Sequence, residues 1–305
     1  MNTSPCLLIR SKELIDFPRR DLSVNQHLHQ CLALYDPFQH RALAFLYGQD
    51  PQVAGLAFLA WTLWVLGYPD QALARVAEAL TCAQERLHPF SLAYALNWAA
   101  VIHQHRQEVQ ATQERAEAVM ALSTAQGFTH LVAFGTVLQG WARAEQGQRT
   151  EGMTQMHRGL AAWRATGAGL HQPYFLALMA AASAQGGHLG DGLQGIREAM
   201  ACVETLGERW WEAEIYRLTG ELLLAQDGHR ADEAQACLRK ALTIARCQQA
   251  KSLELRAARS LSRLWQQQGK RAAAYELLAP IYGWFTEGFD TADLQEAKAL
   301  LEALA

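Results

Sequence analysis

The feature that most constrains this chain is an internal repeat with a period of about 40 residues. Six segments follow a turn and place a small residue, a larger one four positions on and a small one three further on. Positions i, i+4 and i+7 share one face of a helix, so each segment offers a narrow face that a neighbouring helix can approach closely. The triplets are Ala72, Val76, Ala79; Ala111, Arg115, Ala118; Gly152, Met156, Gly159; Gly192, Ile196, Ala199; Ala234, Leu238, Ala241; and Ala273, Leu277, Pro280. The repeat predicts an array of similar units rather than a globule with a single core.

A second helical segment precedes each triplet helix. Apolar and aromatic residues at helical spacing predict these first helices at residues 53–66, 91–105, 131–146, 174–185, 210–226 and 253–268. Glycines separate the two helices in most units, as at Gly147 and Gly269, and glycine relieves the strain of a left-handed helix C-cap. The second unit turns instead at Arg106 and Gln107. Each unit is therefore predicted to be a helical hairpin.

The ends of the array are also visible in the sequence. Residues 24–35 resemble a second-type helix that lacks a first-type partner. A final helix is predicted from 292 to 304, with N-cap residues at 290–293 and with Glu296 and Lys298 keeping one face in solvent. We expect this last helix to cap the array.

Composition excludes several classes of protein. The formal charge of −3 and the absence of a Lys/Arg cluster argue against nucleic acid as a partner. Six cysteines without a C-x-x-C pair indicate reduced thiols and favour the cytoplasm. The longest apolar run, 53–66, is shorter than the roughly 20 residues of a membrane span. Lys12, Glu13 and Pro18 interrupt the region where a secretory signal would lie. We expect a cytoplasmic chain without a membrane partner.

Candidate catalytic and metal-binding residues have simpler interpretations. His27/His29 and His103/His105 are spaced by two, which places the rings of each pair far apart on a helix, so we interpret them as surface or turn histidines. Glu208, Glu212 and Glu214 lie near a helix N-terminus, where the macrodipole favours anions. The single Gly-Lys pair, at 269–270, is followed by Arg271 and forms no phosphate-binding loop. The sequence predicts no enzyme activity, no metal and no cofactor.

The triplets, with Gly140 and Gly220 inside the preceding helices, resemble the tetratricopeptide repeat, which is shorter at about 34 residues. Several segments are more specifically similar to the C-terminal repeat region of bacterial STAND-type signalling ATPases, which carry cyclase, kinase or DNA-binding domains. The similarity covers roughly residues 24–305. The segments are YDP at 35–37, LYGQDP at 46–51, HPFSLA at 88–93, GWA at 140–142, GERWWEAE at 207–214 and YGWFTEGFD at 282–290.

This resemblance implies an all-α, right-handed superhelical solenoid of about six tetratricopeptide-like hairpins with a C-terminal capping helix. We expect one solenoid domain over residues 22–305, preceded by a divergent segment, 1–21, for which poor order is an expectation. The implied function is a non-catalytic protein-interaction or sensor module, the regulatory arm of a signalling ATPase or a fragment of one. Its partner would be a protein or peptide, such as an ATPase or cyclase domain of the same system.

In tetratricopeptide arrays the first helix of each hairpin lines the concave face, and the resemblance therefore implies a set of groove residues. Of these, we favour the polar residues as contacts, because burying them unpaired would be costly; the tryptophans are more easily explained as packing between hairpins. The alternative is a small-ligand sensor with an apolar pocket rimmed by Trp141, Tyr174 and Arg217. The predicted groove residues are Trp61, Trp64, Tyr94, Asn97, Trp141, Tyr174, Arg217, Glu221 and Trp265. The identity of the partner and the oligomeric state stay open.

Overall fold

The computed structural model describes residues 21–40, 42–226 and 230–305, and no strand occurs in these ranges. The predictions for residues 1–20, for Cys6 and for a turn at 227–228 lie outside the described residues. The helices are α1 (Asp21–Ala33), α2 (Pro37–His40), α3 (Leu43–Tyr47), α4 (Pro51–Val65), α5 (Pro69–Arg86), α6 (Pro89–His105), α7 (Val109–Gln126), α8 (Thr129–Glu145), α9 (Arg149–Ala165), α10 (Gln172–Gln185), α11 (Leu189–Leu206), α12 (Glu212–Gln226), α13 (Ala231–Cys247), α14 (Lys251–Gln267), α15 (Arg271–Tyr282) and α16 (Ala292–Leu304).

The all-helical hairpin fold is confirmed. Helices α6 and α7, α8 and α9, α10 and α11, α12 and α13, and α14 and α15 pack as sequential pairs. The predicted first helices agree with α4, α6, α8, α10, α12 and α14 to within about two residues, and the final helix begins and ends where it was predicted. No described helix combines the length and the apolar character that crossing a bilayer would require.

Residues with a left-handed backbone mark the turns at a regular interval. Each of them follows the previous one by 20 residues, which is half of the repeat, from Gly67 through Leu87, Gln107, Gly127, Gly147, Gly167 and Gly187 to Gly207. Glycine adopts this conformation without a Cβ penalty, which explains its predominance. The turn predicted at Arg106 and Gln107 is confirmed, because Gln107 has a φ of 62°.

The described chain divides into two compact units, residues 21–64 with 69–169 and residues 65–68 with 170–305. In the first unit, the rings of Phe58, Tyr94 and Trp98 lie within 6.3 Å of one another, and Trp61 packs on Trp98. In the second unit, α13 to α16 enclose a core around Leu238, Leu255 and Leu278. The single domain expected over residues 22–305 stays a prediction.

The structure corrects two of the six triplets. In α7 the buried face consists of Thr112, Ala116 and Val119 rather than Ala111, Arg115 and Ala118. In α15 it consists of Ala274, Leu278 and Ile281 rather than Ala273, Leu277 and Pro280. The third buried residue is large in both helices, whereas the predicted pattern required a small one. The predicted buried face was therefore shifted by one residue along each helix. The other four triplets are buried as predicted.

A candidate groove along helix α8

A polar groove runs along α8 in the first unit, with α7 and α9 as its walls. We call it the α8 groove. Along its floor, every third or fourth residue of α8 faces the open space, namely Thr129, Val132, Thr136, Gln139 and Arg143. From Thr129 to Arg143 the helix rises about 21 Å, which is the length of about six residues of extended chain. The groove is therefore long enough for a peptide segment.

The first of two cavities in the groove, of about 430 Å³, lies toward the C-terminal end of α8; we call it the amide cavity. A chain of amide hydrogen bonds crosses it from α7 to α9. Gln139 donates to Glu117 Oε1 at 3.0 Å and accepts from Gln155. Gln155 Oε1 is buried and has no hydrogen-bond partner among the described residues. It can accept a hydrogen bond from a main-chain N–H of a bound segment. The lining residues are Met120, Gln139, Arg143, Thr150, Glu151, Thr154, Gln155 and Arg158.

Glu117, at the end of this amide chain, is held as a carboxylate. Its pKa lies below the usual value because Gln113 and Gln139 both donate hydrogen bonds to it and because Arg143 is near. A fixed carboxylate orients the Gln139 amide, and Gln139 in turn orients Gln155. The free Oε1 of Gln155 therefore has a defined direction.

The second cavity, of about 370 Å³, lies at the N-terminal end of α8; we call it the hydroxyl cavity. One arginine and four serine or threonine residues line this cavity. None of the described residues that line it is acidic. Arg158 borders both cavities and is exposed. The lining residues are Ser123, Thr124, Gly127, Thr129, Val132, Ala133, Thr136, Arg158 and Ala162.

The nine groove residues predicted from the sequence line neither of these cavities. Six of them are buried, namely Trp61, Trp64, Asn97, Trp141, Tyr174 and Arg217, whereas Tyr94, Glu221 and Trp265 are partly accessible. Asn97 Oδ1 has no hydrogen-bond partner among the described residues. Trp265 donates from its indole N–H to Gln235 at 2.7 Å. That these nine residues contact a partner stays a prediction.

The pocket predicted at Trp141, Tyr174 and Arg217 also has no counterpart in the two cavities. Trp141 belongs to the first unit, and Tyr174 and Arg217 belong to the second. Tyr174 packs on Trp210 and Trp211, with ring centroids at 5.6 and 5.3 Å. The small-ligand sensor stays a prediction.

Arg217 and Glu221 belong to a buried ionic network in the second unit. Arg217 pairs with Glu214 at 2.8 Å and with Glu221 at 2.6 Å, and the hydroxyl of Ser260 donates to Glu221. The network crosses from α12 to α14 and α16, where Arg256 and Arg259 both bind Asp293. Burial of Arg217 is tolerated because its charge is paired. The expectation that polar residues here would stay exposed overlooked Glu214 and Glu221, which lie three and four positions from Arg217 on the same helix and pair with it.

The three glutamates considered for acid–base chemistry have separate structural roles. Glu212 pairs with Arg209 at 3.0 Å, and Glu214 pairs with Arg217. Glu208 is buried and joins two loops, because its carboxylate accepts the backbone N–H of His171 at 2.8 Å and the indole N–H of Trp210 at 2.7 Å. Burial raises the pKa of Glu208 to about 7, although both hydrogen bonds favour the ionised form.

Glu208→Gln should remove a pH-dependent part of the stability. The pKa of Glu208 rises on folding from 4.5 to about 7, so the wild type is stabilised below pH 4.5 and loses that stability as the pH rises to about 7. This loss amounts to about 3 kcal/mol. Urea unfolding gives the free energy of unfolding of the wild type and of the variant at each pH. We expect the difference, wild type minus variant, to fall by this amount between pH 4.5 and about 7. A difference that does not change with pH would contradict the role assigned to Glu208.

The histidines were correctly interpreted with one exception. His27 and His29 are exposed, and His103 binds Glu108 at 2.5 Å beside the turn. His105, predicted at the surface or a turn, is instead fully buried, with its ring centroid 4.2 Å from that of Trp64. Within the described ranges, no group of three His, Cys, Asp or Glu residues is placed to hold a metal ion. The described cysteines form no disulfide with one another.

The α8 groove was not predicted from the sequence, because the aromatic residues of the first helices form a more prominent pattern. A usable signal was present: polar residues recur at helical spacing along α8, which is otherwise apolar, at Thr129, Thr136, Gln139 and Arg143. The opposite walls come from α7 and α9, whose polar residues read as an ordinary solvated face. Only the packing of three helices shows that these stripes face one another.

The fold and the groove define an all-helical protein built of tetratricopeptide-like hairpins. No protein-family model matches the sequence. The apo form of RapI is similar in structure, with a TM-score of 0.58, 10% sequence identity and 93% of each chain covered. A STAND protein of Pyrococcus horikoshii with a tetratricopeptide repeat sensor gives a TM-score of 0.49 and 11% identity over the whole of this chain and 50% of its own. The likeness to RapI shows the fold alone.

A relative in sequence is the uncharacterized protein R02095 of Rhizobium meliloti (strain 1021). It is 28% identical over 234 residues, which is 76% of this chain. The matched region is 23% of the relative, so the chain spans about a quarter of the length of the protein it matches. The similarity extends over most of the hairpin array.

Proposed function

We propose that this chain is a non-catalytic interaction module whose α8 groove binds an extended segment of a partner protein. The observation that carries the proposal is the groove itself, which is about 21 Å long and open to solvent. Two polar atoms of its lining residues, Ser123 Oγ and Gln155 Oε1, have no hydrogen-bond partner among the described residues. Hairpin arrays present rigid extended surfaces, which suit binding through many shallow contacts. The groove supplies hydrogen-bond donors and acceptors at fixed positions along its length.

Filling the groove tests this proposal. Ala162 is exposed and lines the hydroxyl cavity, whereas its neighbour Ala161 is exposed and lines neither cavity. We expect peptides selected against the wild type from a displayed random library to lose at least about tenfold in affinity for Ala162→Trp, because the indole occupies their site. Ala161→Trp, the matched control, should bind them as the wild type does.

Either of two results would contradict the proposal. The selection could yield no peptide that binds, or the selected peptides could bind Ala162→Trp and Ala161→Trp equally. The second result would place their binding site elsewhere on the chain. Fluorescence polarisation with the synthetic peptides gives the affinities, and circular dichroism shows that both variants are folded.

We further propose that the module serves as the regulatory arm of a bacterial signalling ATPase, in which occupancy of the groove is transmitted to the attached ATPase domain. The sequence similarity to the repeat regions of such ATPases supports this role, and so does a relative several times longer than the matched region. The DNA upstream of the Met1 codon provides the test. An in-frame ATPase with a phosphate-binding loop supports the role, and a promoter with its own start site contradicts it.

A further inference from the structure

The hydroxyl cavity has the composition of an oxyanion site. Arg158 makes no ion pair with any described residue, so its guanidinium is available to a ligand. The hydroxyl-bearing residues Ser123, Thr124, Thr129 and Thr136 line the same space. Thr136 donates its own hydroxyl proton to the carbonyl of Val132. Because no acidic residue is among the described residues that line this cavity, Arg158 gives it a positive potential, which favours an anionic ligand.

Ser123 supplies a second, independent indication of a ligand. Its side chain is fully buried at 0% exposure, and its Oγ has no hydrogen-bond partner among the described residues. A buried hydroxyl without a partner is unfavourable, and most buried hydroxyls in folded proteins are paired. Because Ser123 lines the cavity, a ligand oxygen there would complete its hydrogen bonding.

The backbone at the start of α8 also favours an anion in this cavity. The cavity lies at the N-terminus of α8, a helix of 17 residues whose N-cap, Phe128, makes no side-chain capping bond. The N–H groups of Thr129 and Leu131 donate to the carbonyls of Gly127 and Phe128, so the partial positive charge at this end comes from the dipole of the helix. The C-terminus of α7 also lies beside the cavity and carries a partial negative charge. Hydrogen bonds reduce this charge, because the carbonyls of Ser123 and Thr124 accept the N–H groups of Phe128 and Gly127.

We infer that the hydroxyl cavity binds the side-chain carboxylate of an Asp or Glu residue within the segment that occupies the α8 groove. This inference rests on the proposed function. Arg158 pairs with the carboxylate, and Ser123 donates its hydroxyl proton to it. The adjoining amide cavity offers Gln155 Oε1 to a main-chain N–H of the same segment. The partner is thus a protein with an exposed extended stretch that carries an acidic residue.

The test uses a displayed library of random peptides about twelve residues long, twice what the groove accommodates in extended form. We expect the selected peptides to share an acidic position. Replacing it with Asn or Gln should weaken binding about 10- to 30-fold, and Arg158→Ala should weaken the acidic peptide to a similar degree. Arg149→Ala, which removes an exposed arginine of α9 that lines neither cavity, should leave affinity unchanged.

Ser123→Ala distinguishes a ligand role from a structural one. The substitution removes an unpaired buried hydroxyl, so we expect the melting temperature to rise by a few degrees. Affinity for the acidic peptide should fall several-fold at the same time, because one donor to the carboxylate is lost. A variant that is more stable and yet binds less well is the expected result; unchanged affinity would overturn the role of Ser123.

The outcomes separate this inference from the proposed function. Selected peptides that lose affinity for Ala162→Trp but are neutral or basic, or are insensitive to Arg158→Ala, would overturn the inference and leave the groove as a binding site. Peptides with amidated C-termini are used throughout. If binding required a free C-terminus, the assignment to a side-chain carboxylate would be wrong. Selected peptides that bind Ala162→Trp with unchanged affinity would contradict both proposals.

Discussion

Asp293→Ala should destabilise the second unit by about 3–5 kcal/mol, the range measured when one partner of a buried ion pair is removed. Asp293 accepts a hydrogen bond from Arg256 Nε at 2.7 Å and one from Arg259 at 3.0 Å. The side chains of the two arginines are 6% and 7% exposed. Glu214, at 3.6 Å from Arg256, and Glu296, at 3.4 Å from Arg259, remain but also serve other arginines. The variant therefore keeps buried positive charge that is only partly compensated.

Urea unfolding of the full chain measures this loss, and hydrogen exchange in α14 and α16 locates it. The matched control is Glu302→Ala on the same helix, α16. Glu302 lies 4.0 Å from Lys298 with both side chains mostly exposed, so its removal should change the free energy of unfolding by less than about 0.5 kcal/mol. Equal effects of the two substitutions would show that the buried network does not stabilise the unit.

The same network has a signature at low pH. Burial opposes ionisation of Asp293, but Arg256 and Arg259 outweigh it and hold the pKa below the usual value of 3.8. Because the pKa is lower in the folded chain, the carboxylate stabilises the fold above pH 3.8, and this stabilisation is lost as the pH falls through the folded pKa. Asp293→Asn should therefore lower stability at neutral pH and flatten its decline in acid.

Gly152→Ala should destabilise the first unit by about 3 kcal/mol, the upper end of the usual range for overpacking. A Cβ at Gly152 would lie 2.5 Å from the carbonyl oxygen of Gly140 and 2.7 Å from the backbone N of Ala144. Both atoms belong to the backbone of α8, which cannot rotate away as a side chain could. Helix α9 would have to separate from α8 along the face where the two helices meet.

Gly195→Ala is the control for this prediction. Gly195 also lies within a helix, α11, but the nearest atom to its added Cβ is Ala180 Cβ at an ordinary 3.5 Å. Alanine is the better helix former by about 1 kcal/mol, so this variant should be as stable as the wild type or more so. Thermal unfolding of the two variants gives the comparison. If both glycines tolerate alanine equally, close approach of the backbones does not determine the packing of α8 and α9.

The candidate site was less predictable than the fold. The helices, the turn at Gln107 and the capping helix follow from spacing and turn residues, and the structure has them where they were expected. Arg217, in contrast, was expected in an exposed groove and is buried, because α12 packs against α14, whose Ser260 accepts a hydrogen bond from it. Glu214 and Glu221, on the same helix as Arg217, pair with its charge. The α8 groove joins three helices, and no single segment contains its pattern.

The helical hairpin and its period follow from local sequence, because helix formation, capping and turns depend on residues within a few positions of one another. The tertiary structure decided the register in α7 and α15, where the buried residue stands one position beyond the expected one. It also decided which polar groups are paired and which, like Ser123 Oγ and Gln155 Oε1, have no hydrogen-bond partner among the described residues. These outcomes depend on which helix faces packed together, since burial and hydrogen bonding are properties of neighbours in space rather than neighbours along the chain.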